Sequence, residues 1–87
     1  MRVISQNGMD FPYEQMVAFA DEGNIRCYLC NDSSGRFWTL GVYSSEEKAD
    51  KVLKMMHGQY LLPQMEDREH LYLGNIFQFP EDDEVEV

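Results

Sequence analysis

The side chains able to do chemistry are few in this 87-residue chain, and the first to test are two cysteines spaced Cys27-Tyr28-Leu29-Cys30. That spacing invites a metal or thiol–disulfide role. In a strand, however, residues three apart point to opposite faces with Cα atoms ~10 Å apart, beyond the ~7 Å reach of a disulfide. A zinc site would need further ligands, and the two histidines, His57 and His70, stand at no zinc-like spacing. The cysteines therefore read as structural free thiols, and no metal or cofactor is implied. His57 reads as a group near a helix end, where its charge suits the dipole, His70 as surface, and the carboxylates of Glu46 and Glu47 as part of a helix start. Nucleophile elbows, zinc-protease helices, phosphate-cradling loops and dinucleotide fingerprints are all missing from the sequence. A single small domain also offers little room for a concave, supported active site, so the chain reads as not an enzyme.

One constellation points to binding. If the loop Asn31–Gly35 closes a hairpin with Cys30 opposite Arg36, then Tyr28 faces Trp38 and Arg26 faces Leu40 on one side of the sheet. Ile25, Leu29, Phe37 and Tyr43 form the other side, the more uniformly apolar, which would take a covering helix. Arg26, Tyr28, Arg36 and Trp38 would then lie on the outer face as a candidate site. Aromatic rings stack on bases and guanidinium forks hold phosphates, which fits a nucleotide. The same residue types also favour a subunit or partner interface, or they are simply exposed. A slip of one residue in the register would separate them.

The elements that must position this group are legible. Ser44 followed by Glu47 has the form of a capping box, and Ala49, Val52, Leu53, Met56 and Tyr60 recur with helical spacing as one apolar stripe. Gly58 and Pro63 predict an end to that helix between Met56 and Leu62. Before it, Met1–Gln6, Gln15–Ala20, Ile25–Cys30 and Arg36–Tyr43 read as strands separated by turns at Asn7-Gly8, Asp21–Asn24 and Asn31–Gly35. Pro12 places its segment at an edge or between strands. After a link over Leu61–His70, Leu71–Phe79 reads as a final strand, with Gly74 marking a bulge or kink, before Pro80 stops it. The expected fold is α+β: an antiparallel sheet of four to five strands, a β-meander, with one amphipathic helix packed on one face and a last strand after the helix. Residues 1–80 form the domain and 81–87 an acidic, solvated, frayed tail.

Composition bounds the partners. With 44% hydrophobic and 13% aromatic residues the chain should fold, although so small a sheet needs its helix or another chain to close the core. The formal charge is −9, of which five acids lie in the tail, leaving −4 on the body. That field opposes direct binding to nucleic-acid backbone and suits a basic partner or plain solubility. No apolar run is long enough to span a membrane and the amino terminus lacks a signal-peptide core, so the expected location is cytoplasmic.

Four blocks carry a resemblance: Met1-Arg2-Val3-Ile4-Ser5-Gln6-Asn7-Gly8, Phe11-Pro12-Tyr13-Glu14, Leu40 through Ala49 with its Tyr43-Ser44-Ser45-Glu46-Glu47-Lys48 centre, and Ile76-Phe77-Gln78-Phe79-Pro80. Together they resemble small proteins encoded by phages and prophages of Firmicutes, over about half of the chain. The resemblance implies a phage accessory protein for which counter-defence by binding is the expected role, and it carries no catalytic or binding residues. The expectation is a non-enzymatic inhibitor that binds a host protein through an acidic surface in the host cytoplasm. The alternative is a homo-oligomeric sponge that sequesters a small signalling nucleotide between subunits, with a small enzyme a distant third.

Overall fold

The computed structural model describes residues 1–65 and 76–87. Six strands and a helix follow in the order β1 (Arg2–Ile4), β2 (Asp10–Pro12), β3 (Met16–Asp21), β4 (Asn24–Leu29), β5 (Trp38–Val42), α1 (Glu46–Met65) and β6 (Ile76–Gln78). This is the expected α+β fold, with a meander running into a helix and a strand after it. The strands are divided between two three-stranded sheets, β2-β1-β6 and β3-β4-β5, where a single sheet was expected. The expected bulge at Gly74 lies outside the described residues.

In the first sheet β1 is central, antiparallel to β2 and parallel to β6. Val3 lies opposite Phe11 on one side and Phe77 on the other, and all three are buried. A turn through Asn7-Gly8 closes the β1–β2 hairpin, with Ser5 N–H on Met9 O at 2.8 Å and Gly8 at φ 87°. Pro12, which has no N–H to give a ladder, sits in the edge strand β2.

A side chain joins the two sheets. Gln6 donates its own N–H to Leu40 O (2.9 Å), accepts the Val42 N–H at Oε1 (2.9 Å) and donates from Nε2 to Pro80 O (2.9 Å). Its amide thus stands where a neighbouring strand would otherwise pair with β5.

In the second sheet the two-residue turn Glu22-Gly23, with φ 51° and 89°, matches the twist of an antiparallel pair and sets Asp21 opposite Asn24. That fixes Phe19 opposite Arg26 and Val17 opposite Tyr28. Between β4 and β5 the register changes partway. Asn24↔Val42 and Ile25↔Gly41 give way to Arg26↔Thr39 and Cys27↔Trp38, leaving Leu40 as the extra residue of a β-bulge. The expected opposition of Tyr28 with Trp38, and of Arg26 with Leu40, is therefore off by one residue on the loop side of the bulge. Gly41 allows the bend: a Cβ there would lie 2.8 Å from the Tyr43 ring and 3.1 Å from that of Phe79.

The helix lies against the inner face of this second sheet and closes the core. Ala49, Val52 and Met56 are fully buried against Ile25, Cys27 and Leu40, with Leu53 packed at the margin. Tyr60 completes the stripe by stacking on Tyr13, ring centroids 4.3 Å apart. The cap is Ser45 rather than Ser44: the Ser45 hydroxyl accepts the Lys48 N–H at 3.2 Å. Ser44 is engaged elsewhere, donating its N–H to Asp82 Oδ1 at 2.7 Å, so the expected capping box does not form. The helix also passes Gly58 and Pro63 to reach Met65, beyond the expected stop. A helical glycine costs only ~1 kcal/mol, and the turn after it carries Tyr60, which is packed on Tyr13.

The acidic tail is not frayed. Glu81 and Glu84 cap each other across a short 3-10 turn at Asp82–Glu84, and Val85 enters the core at 6% exposure. Lys48 reaches Asp82 through its main-chain oxygen (3.0 Å) and its carboxylate (3.5 Å), and Lys51 donates to Glu86 O.

Candidate interaction face

Two of the four expected site residues share the outer face of β3-β4-β5. Arg26 and Tyr28 project there from β4, opposite Phe19 and Val17 of β3. Arg26 pairs with Asp21 (Nη1 to Oδ2, 3.3 Å), while its Nε is buried with no hydrogen-bond partner among the described residues. Tyr28 is 38% exposed.

Trp38 does not join them. The bulge turns it to the inner side with Cys27 and Leu40, half-buried, its ring 6.0 Å from Phe11 of the other sheet. Arg36 covers it from outside, with Cζ 5.4 Å from the ring centroid, a cation–π distance. The indole thus bridges two sheets beneath a guanidinium and is no open platform for a base. Its Nε1 is buried without a hydrogen-bond partner among the described residues.

The residue that does complete the outer face is Phe37, which had been expected on the inner side. It is 57% exposed and meets Phe19 edge-on at 5.6 Å and Tyr28 at 5.8 Å, with Phe19 and Tyr28 6.5 Å apart. Three rings thus contact one another pairwise in the tilted and edge-to-face geometries that aromatic quadrupoles favour. Val17 extends the patch at 39% exposure. Two of these residues, Phe19 and Val17, could have been found in the sequence from the Glu22-Gly23 turn, because a two-residue loop fixes which β3 residues oppose Arg26 and Tyr28. Gly41 inside a strand pattern was the available sign of the bulge.

Cys27 is buried and desolvation pushes its thiol up to about 11, whereas Cys30 is exposed; both are free. His57 lies inside the helix, not at its end, and its Nδ1 is 2.6 Å from the Tyr13 hydroxyl, tying the turn after β2 to α1. Burial raises the Tyr13 phenol, helped by Tyr60. Tyr43 is raised to about 12, first by desolvation, and its hydroxyl donates to Pro80 O at 2.7 Å. Three open concavities among the described residues lie along charged helix residues such as Asp50 and Lys54, against the carboxy-terminal segment, and beside Gln6, and none of the three is lined by Phe19, Tyr28 or Phe37. Among the described residues no group of acidic, cysteine or histidine side chains is placed to hold a metal, and no helix is long and apolar enough to cross a membrane. The chain matches no protein-family model, no curated protein and no solved structure.

Proposed function

We propose that the protein acts by binding another protein through the outer face of β3-β4-β5, as a non-enzymatic inhibitor of a host protein of the kind its sequence resemblance implies. The observation that carries this reading is the contiguous Phe19, Tyr28 and Phe37 cluster, with Val17 beside it, left uncovered on a sheet whose other face is packed by α1. Exposed aromatic groups with a neighbouring arginine are the usual anchors of interfaces. Arg26 is already paired to Asp21, so the patch itself is close to neutral, while the chain as a whole carries −9. The fitting partner therefore presents an apolar patch set in a basic surface, drawn in by the long-range field and held by the rings. The binding determinant is thus moved from the acidic surface to an aromatic face, with the acids serving encounter.

The rival, sequestration of a small signalling nucleotide, keeps Arg26 and Tyr28 on one face but loses Trp38 as a stacking partner. A photo-crosslinking residue placed at Phe37, compared with one at Lys54 on the exposed side of the helix, distinguishes the two in host cells. Protein docking predicts one discrete crosslinked host protein from position 37 and none from 54. A nucleotide retained in the native mass of the purified protein, with no such crosslink, would contradict it.

A further inference from the structure

Among the described residues, each sheet edge is managed except one. The edge of β2 carries Pro12 and the Arg2–Asp10 ion pair (2.8 Å). β6 is three residues long and Gln59 Nε2 covers Ile76 O at 2.5 Å. The outer edge of β5 is taken by Gln6, which engages both Leu40 O and Val42 N–H. By contrast, β3 runs six residues with no lysine, proline or bulge, and its first five residues, Met16-Val17-Ala18-Phe19-Ala20, are uncharged. Such a strand is a template for pairing.

The ladder shows which groups are available. Gln15 O accepts the Cys30 N–H at 2.9 Å, and antiparallel bonds recur at alternate residues, so Val17, Phe19 and Asp21 bond toward β4. Met16, Ala18 and Ala20 turn their main-chain groups outward. Met16 N–H is used by Tyr13 O, which leaves the Met16 carbonyl and both groups of Ala18 and Ala20 without a partner among the described residues.

We propose that two copies of the chain join here, β3 against β3, antiparallel and centred on Ala18. The strand is complementary to itself in that register. Ala18 meets Ala18 of the second copy, where two methyl groups leave room on the axis, and Met16 meets Ala20. On the outer face Val17 opposes Phe19 twice in the closer, non-hydrogen-bonded pairs, a β-branched residue against an aromatic one, which is a favourable cross-strand combination. Asp21 falls opposite Gln15, so no acid opposes an acid within the strand. Of the acids near its ends, Glu14 is paired with the Met1 amino group at 2.7 Å and Asp21 with Arg26 at 3.3 Å, while Glu22 of the turn, which this register carries toward Glu14 of the second copy, has no ion pair among the described residues. The product is one continuous sheet, three strands from each copy, with both aromatic clusters on the same side.

The dimer is held by the main-chain edge of β3, and its Val17–Phe19 pairs border the docking face without covering Tyr28 or Phe37. Its test is site-directed disulfide trapping with both native thiols removed, Cys27→Ala and Cys30→Ser, because Cys27 lies opposite Ala18 within the same chain. Ala18→Cys should form an intermolecular disulfide rapidly, because a hydrogen-bonded pair holds its Cα atoms ~5.5 Å apart, within disulfide reach. Ala20→Cys should not, because its opposite residue is Met16. In sedimentation the unmodified chain should show twice its 10.2 kDa mass, and Val17→Lys or Ala20→Pro should raise the dimer dissociation constant at least tenfold with the far-ultraviolet circular dichroism unchanged. A chain that stays at monomer mass, or equal trapping at positions 18 and 20, overturns the proposal. A monomer that still gives the position-37 crosslink overturns the dimer alone, whereas a trapped dimer without that crosslink overturns the docking reading alone.

Discussion

Trp38 shows how one residue's role turns on its environment. The same indole would serve as a stacking platform on the outer face and as a structural bridge on the inner one, and the bulge at Leu40 decides for the bridge. With Phe11 against one part of the ring and Arg36 over it, Trp38→Ala should destabilise the fold by about 3–5 kcal/mol, as large aromatic truncations do. Urea denaturation checks this; a loss under about 1 kcal/mol would mean that the ring is not bridging the sheets. Gly41 explains why the register was hard to read. Ile25 and Asn24 pair as the loop-based register requires, and the ladder shifts only beyond them, at a glycine where the Tyr43 ring approaches the main chain. A pattern of alternating residue types carries no record of where such a shift falls.

At the scale of elements, the helix was the most legible part and its boundaries the least. Ala49, Val52 and Met56 face the core as their spacing demands. Ser44 and Ser45 are both competent caps, and the choice is made by Asp82, which takes the Ser44 N–H from 38 residues away in sequence. The carboxy-terminal segment is thus a clasp over the start of α1, a contact that charge content alone misrepresents as a frayed tail. Asp82 has its carboxyl held below the ordinary value, chiefly by that Ser44 N–H. A carboxylate with a lowered folded pKa contributes stability above its unfolded value, near 4, and the contribution fades as pH falls through the lower folded value. In an NMR titration the Ser44 amide should therefore shift with an apparent pKa below that of a free aspartate. Asp82→Ala should speed exchange of the Ser44 amide with solvent while Ala49 and Met56 stay protected. An unchanged Ser44 exchange rate would show that the clasp does not close.

The described residues build two small sheets held by α1, by the Gln6 amide and by the carboxy-terminal clasp, with an uncovered aromatic face on β3-β4-β5. The fold class was readable because the turn residues, the helical stripe and the strand after the helix each have local causes. The division into two sheets was not, because it depends on Gln6 meeting Leu40 and Val42 across 34 to 36 positions. The candidate face was half readable: Arg26 and Tyr28 lie where β4 puts them, while Phe37 required the bulge to bring it to Tyr28.

The central claim is that this face serves a partner rather than the fold. Its most direct test is the affinity for the host protein crosslinked at position 37, measured by calorimetry for the parent chain and for Phe37→Ala, alongside their thermal melts. Phe37 is 57% exposed, so truncation should cost less than about 1 kcal/mol of stability. As an interface anchor it should cost at least ~2 kcal/mol of binding, roughly a 30-fold weaker Kd. An unchanged Kd, or a melting temperature that falls together with it, would contradict the account.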